Sequence, residues 1–197
     1  PDVYVIPATF FSKTFITAGL RDIAKRVVDA LNGEESENRV ISLQTGFGGG
    51  KTHTLISLYH IAKAGKSIRQ FSNAILPEDK EPIFDHANIA VFTNNTCDVV
   101  TGHQVENDLT IYTIWGEIAY QLGGRQAYKE VAENDRKRIA PSSAIIKPIL
   151  EKAAPSLILI DELADYCVKA SAQRVGDSSL FEQTNSFMQT LTEVVAA

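Results

Sequence analysis

Apolar positions along the 197-residue chain follow two patterns. Between Thr17 and Leu31 they fall at Leu20, Ile23, Ala24, Val27, Val28 and Leu31, the spacing that lines one face of a helix. Lys51–Ala64 repeats that spacing through Leu55, Ile56, Leu58, Tyr59 and Ile61. Gly33 and Gly65 stand where the two helices should stop. Three short, mainly apolar runs, Val40–Leu43 (interrupted by Ser42), Ile89–Phe92 and Leu157–Ile160, read instead as buried strands. Further helices are predicted over Ile111–Leu122, Lys129–Arg138, Ser143–Ala153, Glu162–Ala172 and Ser178–Ala197. Gly123-Gly124 should stop the first of these, and Pro148 should bend the third. The remainder is an extended lead-in over 1–16, a polar connector at Glu34–Asn38, a mixed stretch over 66–87, and a polar loop from Thr93 to Asn107. Strands alternating with helices predict an α/β fold with a mainly parallel sheet covered on both faces.

Composition changes this picture little. Hydrophobic residues make up 44% and charged residues 22%, ordinary values for a globular domain. A formal net charge of −5 gives no sign of a nucleic-acid-coating protein, although a local basic patch would keep DNA in play. Two cysteines, Cys97 and Cys167, make neither a disulfide framework nor a zinc spacing. No apolar run reaches the length of a membrane span.

The chemistry is concentrated at two places. Between the Val40–Leu43 run and the helix at Lys51 stand Gln44, Thr45, Gly46, Phe47, Gly48, Gly49 and Gly50, followed by Lys51, Thr52 and His53. A strand that turns through glycines into a helix opening Lys-Thr is a phosphate-binding loop of the Walker A type. Its glycines let backbone N–H groups converge on phosphate oxygens, and the helix N-terminus favours negative charge. Lys51 should reach the β- and γ-phosphates, and the Thr52 hydroxyl should ligate Mg²⁺. Thr45 replaces the first glycine of the usual pattern, with Gly46 beside it. The second place is Asp161-Glu162, at the end of the Leu157–Ile160 run, a Walker B arrangement. Asp161 should hold the magnesium, and Glu162 should act as general base on the attacking water. The plainer readings are a glycine-rich turn and an acidic helix N-terminus. The two features together favour an ATP-binding and ATP-hydrolysing protein.

Other features carry less. Leu122-Gly123-Gly124-Arg125-Gln126 has the letters of a transporter ATPase signature, misordered and too far upstream. His53 and His60 stand outside metal spacing, and His86 and His103 fall in predicted loops. Trp115 lies on an apolar helical face and reads as core. Arg136-Lys137-Arg138 reads as a solvated face, with phosphate, nucleic acid or a neighbouring subunit's nucleotide as its functional alternatives.

The strings Gln44–Leu55 and Ile158–Tyr166 together resemble a family of large prokaryotic predicted AAA-type P-loop ATPases, encoded near DNA methyltransferases in anti-phage defence islands. Lys13–Leu20, Trp115–Ala119 and Gln121–Gly124 also resemble it. The resemblance implies an AAA/RecA-like three-layer sandwich, ATP and Mg²⁺ as cofactors, and a cytoplasmic location. It also implies other subunits, of its own kind or from a defence system, as partners, with DNA a further candidate and no membrane. By the same resemblance Asn94, at the end of the Ile89–Phe92 run, is a candidate to hydrogen-bond the catalytic glutamate and hold it inactive. A pair of asparagines in a turn is its plain alternative. The expected organisation is a single ATP-binding domain over 1–197, forming the N-terminal and core part of an ATPase module. A sensor strand and a helical lid are expected beyond residue 197. The reading is a motor or switch ATPase of a DNA-modification or defence assembly. An ATP-binding structural or regulatory module with negligible turnover is the alternative.

Overall fold

A computed structural model describes residues 3–34, 39–43 and 50–197 of the chain. The chain divides into two units, Pro1–Ile89 and Ala90–Ala197, each with its own buried residues.

In the first unit, a short helix α1 (Pro7–Ser12) buries Phe10 and Phe11. Helix α2 (Ala18–Leu31) begins where Thr17 offers its hydroxyl to the Leu20 N–H at 3.1 Å, a side-chain cap that satisfies one helix-start donor. It turns Leu20, Ala24, Val27 and Val28 inward, as the periodicity predicts. Helix α3 (Lys51–Ala64) packs against α2 and buries Leu58, Ile61 and Ala62. Beyond Gly65 a 3₁₀ turn runs to Gln70. The irregular stretch that follows is organised by Arg69. Its guanidinium donates to the carbonyls of Asn73, Leu76, Pro77 and Lys80 and pairs with Glu81. One fixed fork of five donors thus supplies the order that prolines deny to a helix here.

The run Val40–Leu43, expected as a strand, takes no regular structure. Val40 and Ser42 are exposed and Ile41 and Leu43 only half-buried, so the run is not covered on both faces. A strand exists through its ladder, and among the described residues nothing pairs with this one.

In the second unit, β1 (Asn88–Phe92, of which Ala90–Phe92 lie in this unit) is bonded to β4 (Ser156–Ile160). The Asp161 N–H donates to the Phe92 carbonyl at 2.9 Å, so the C-terminal ends of the two strands lie side by side. Between them in sequence come a hairpin and two helices. Strands β2 (His103–Glu106) and β3 (Leu109–Ile111) pair antiparallel, with a bulge between Gln104 and Glu106. This hairpin corrects the expectation of a polar loop to Asn107. His-Gln-Val-Glu carries one strong β-former, and its pairing partner lies across the Asn107-Asp108 turn rather than within the run.

Helix α4 (Ile114–Lys137) is capped by the Thr113 hydroxyl, which accepts from the Gly116 N–H. It leaves helical geometry at Gly123 and Gly124, the break expected from the sequence, and then resumes through the charged stretch. Gly124 has φ +61° and ψ −158°, a conformation available to glycine and to few other residues. Arg125, just past the break, pairs with Glu106 and Asp108 at the hairpin tip. Helix α5 (Ser143–Ala153) runs through Pro148. Helix α6 (Leu163–Ala172) follows β4, and a two-residue hairpin, β5 (Arg174–Val175) with β6 (Ser178–Ser179), leads to α7 (Leu180–Ala196). Ser179 and Glu182 form a reciprocal capping box at the start of α7.

Helices α4, α5 and α7 pack together, and α6 packs on α7. Trp115, Tyr166, Phe92 and Phe187 are fully buried among them, each contributing about 2–3 kcal/mol of burial. Asp135 is buried with them. Its carboxylate accepts from the Tyr112 N–H, the Thr113 hydroxyl and the Tyr128 hydroxyl, which ties the far end of α4 back to the residues that lead into it. Burial pushes the Asp135 carboxyl above the usual range while these donors pull the other way.

Candidate functional site

The glycine-rich stretch Gln44–Gly49, with the candidate ligands Thr45, Gly46, Phe47, Gly48 and Gly49, lies outside the described residues. Gly50 opens the described part. It stands at the N-cap of α3 with φ +76° and ψ +17°, a left-handed turn that favours glycine by about 1 kcal/mol. Lys51 and Thr52 follow on the first turn of a 14-residue helix, both exposed. A helix of this length directs favourable partial positive charge at its N-terminal end.

His53 turns the other way. The Thr14 hydroxyl donates to the Phe10 carbonyl at 2.7 Å, so the 3.0 Å contact between Thr14 Oγ1 and His53 Nε2 requires the imidazole to donate. Phe10 packs on the same ring, 4.6 Å between centroids, and its aromatic contacts extend to His60 at 5.1 Å. The lead-in segment is thereby bound to the first turn of α3. His60 is 2% exposed, and its Nε2 donates to the Tyr4 carbonyl at 3.0 Å. Its Nδ1 is buried without a hydrogen-bond partner, and burial pulls the imidazole below the ordinary histidine range.

At the other place, β4 ends and Asp161 and Glu162 follow. The half-buried Asp161 accepts from the Glu162 N–H through Oδ1 at 3.0 Å. Glu162 is exposed and is the N-cap of α6. Its backbone is left-handed, with φ +54° and ψ +31°, which costs a non-glycine residue about 1–2 kcal/mol. Asn94 lies past the end of β1, beside the end of β4. Its amide donates to Asp165 Oδ2 at 3.4 Å, on the first turn of α6, and not to Glu162. The side-chain amide oxygen of Asn94, Oδ1, is buried without a partner.

Several of the remaining candidates have partners within the protein. His103 belongs to β2, and its Nδ1 lies 2.6 Å from the buried Glu117 carboxylate. Burial raises the Glu117 carboxyl and the contact with His103 lowers it. Arg136 and Lys137 pair with Glu133 on the same helix, while Arg138 lies over the Tyr112 ring and donates to the Val100 carbonyl. Cys97 is buried, and burial pushes its thiol far up, away from reactivity. Among the described residues no cluster of three or more His, Cys, Asp and Glu could hold a metal, and no helix is long and apolar enough to cross a membrane. Sequence reasoning missed Asp165. It stands inside the Asp-Glu-Leu-Ala-Asp-Tyr string, one turn after Glu162, where i and i+3 residues share a helix face.

Compared with known proteins, the chain matches one family model, that of the DUF499 N-terminal domain, over residues 1–197. No curated protein and no solved structure matches it.

Proposed function

Taking the chain as what that match makes it, a member of the DUF499 N-terminal domain family, we propose that it binds ATP with magnesium and hydrolyses it as an AAA-type P-loop ATPase. The observation that carries this reading is the start of α3. A left-handed Gly50 leads directly into Lys51 and Thr52 on the first turn of a long helix, behind a run of glycines. Anions bind at such helix starts, and a lysine there supplies a point charge to the outer phosphates.

Each residue then has one task. Lys51 neutralises the β/γ-phosphates. The Thr52 hydroxyl and the Asp161 carboxylate are hard oxygen donors of the kind magnesium prefers. The metal would supply charge neutralisation at the phosphoryl oxygens. Glu162 takes a proton from water as the water oxygen bonds to the γ-phosphorus and the bond to the β-phosphate bridging oxygen breaks, giving ADP and phosphate. The work done with that energy is proposed from resemblance alone: a motor or switch step in a DNA-modification or anti-phage assembly, with protein subunits or DNA as partners.

Lys51→Ala tests the site at its first step. It should abolish binding of labelled ATP to the native full-length protein, because the charge facing the β/γ-phosphates is lost. Unchanged affinity would mean that Lys51 does not face a phosphate.

A further inference from the structure

Glu162 is held in a backbone conformation that glutamate avoids, and the second unit shows what holds it. The Glu162 N–H donates to Asp161 Oδ1 at 3.0 Å. The Glu162 carbonyl accepts from the N–H groups of Asp165, at 3.1 Å, and Tyr166, at 3.4 Å. The geometry of Glu162 therefore depends on where the first turn of α6 sits.

That turn is anchored to the end of β1 at two depths. In the core, the fully buried Tyr166 ring meets Phe92 edge-on, with centroids 5.0 Å apart and planes at 90°. At the rim, Asp165 Oδ2 accepts from the Asn94 amide. The two anchors fall on consecutive residues of the helix, and Phe92 and Asn94 are two residues apart. Tyr166 fixes the height of the turn against the strand. Asp165 fixes its rotation, because a second, off-axis contact is needed to stop a helix end from swivelling about the first.

We propose that Asp165 is a positioning residue for the Glu162 carboxylate, acting through its hydrogen bond from Asn94. Asp165 touches no reacting atom. With the tie in place, the strained backbone of Glu162 is over-determined and its side chain leaves the helix start in one direction. Without it, the first turn of α6 relaxes and the carboxylate is displaced. Strain at a functional residue persists only where its surroundings enforce it. A base displaced by about 1 Å loses on the order of tenfold or more in rate. This inference rests on the ATPase reading, with Glu162 as base.

The test compares Asp165→Ala, Asp165→Asn, Asn94→Ala and the Asn94→Ala/Asp165→Ala double variant in the native full-length protein. Equilibrium ATP·Mg binding and single-turnover hydrolysis are measured for each. Asp165→Ala should slow hydrolysis on the order of tenfold while ATP affinity stays within about twofold. Asp165→Asn keeps an acceptor oxygen for Asn94 and should recover most of the rate. Asn94→Ala should slow hydrolysis as Asp165→Ala does, and the double variant should be no slower than either single one. The positioning role is overturned if Asp165→Ala hydrolyses ATP at the wild-type rate, if Asp165→Asn is as slow as Asp165→Ala, or if the two single effects multiply. Glu162→Gln separates the two levels. If it retains full turnover, the base assignment fails and the positioning role falls with it. If it is inactive while Asp165→Ala is normal, only the role of Asp165 fails.

Discussion

At the scale of single residues, the sequence names types and the fold decides what they do. Lys51, Thr52, Asp161 and Glu162 stand out as candidates because the chemistry proposed for them depends on local order: glycines before a helix, two carboxylates after an apolar run. The partner of Asn94 was not legible. Its amide meets Asp165, 71 positions along, because two strand ends are brought side by side, and spacing carries no trace of that. His60 shows the same limit. Helical periodicity puts it on a turn with Leu58 and Ile61, but its burial and its bond to the Tyr4 carbonyl come from the lead-in segment. A pH dependence follows. Burial holds the folded-state pKa of His60 below the ordinary 6.5, so the unfolded chain takes up the proton first as pH falls. The stability His60 contributes is full above pH 6.5 and is lost as pH drops toward and through its folded pKa. Urea unfolding between pH 7.5 and 5 should show the wild type losing stability relative to His60→Phe, with a slope of up to about 1.4 kcal/mol per pH unit. Parallel curves for the two proteins would mean that His60 titrates alike in both states.

At the scale of elements, the longer helices were legible and pairing was not; the short α1 lies in a lead-in expected to be extended. α2 and α3 follow the periodicity, α5 and the arms of α4 fall within a few residues of the expected helices, and Gly123-Gly124 breaks α4 where two glycines in a row should. Strands depend on partners. β2 went unread because it is largely polar, and β3 because it is only three residues long and its Ile111 was expected to open a helix that starts at Ile114, while Val40–Leu43 is mainly apolar yet has no ladder among the described residues. One pairing is supplied by a side chain. The Val91 N–H donates to Gln121 Oε1 at 2.8 Å, and Gln121 Nε2 donates back to the Val91 carbonyl at 3.0 Å. Gln121 thus acts as one peptide group of a neighbouring strand along the side of β1 where no strand pairs among the described residues, which blunts an edge open to pairing with another chain. Gln121→Ala should cost about 1–2 kcal/mol in chemical denaturation and should speed hydrogen exchange at the Val91 amide. An unchanged exchange rate at Val91 would show that this edge is protected by something else.

At the scale of the molecule, the family match covers the whole sequence, and the two chemical stretches lie in separate compact units. Phosphate-facing candidates Gly50, Lys51 and Thr52 belong to the first, and Asp161 and Glu162 to the second. The ATPase reading gives the first set the binding of phosphate and the second the cleavage step. Binding and turnover should then come apart under mutation: Lys51 is needed to hold ATP, and Glu162 only to cleave it. The most direct measurement is hydrolysis and binding of ATP·Mg by the Glu162→Gln variant of the native full-length protein, beside the wild type. The amide cannot take the proton from water, but the ligands for phosphates and magnesium are intact. ATP affinity should be unchanged, and hydrolysis should fall by about two to four orders of magnitude. Wild-type turnover in Glu162→Gln, or loss of ATP binding along with turnover, would contradict the account.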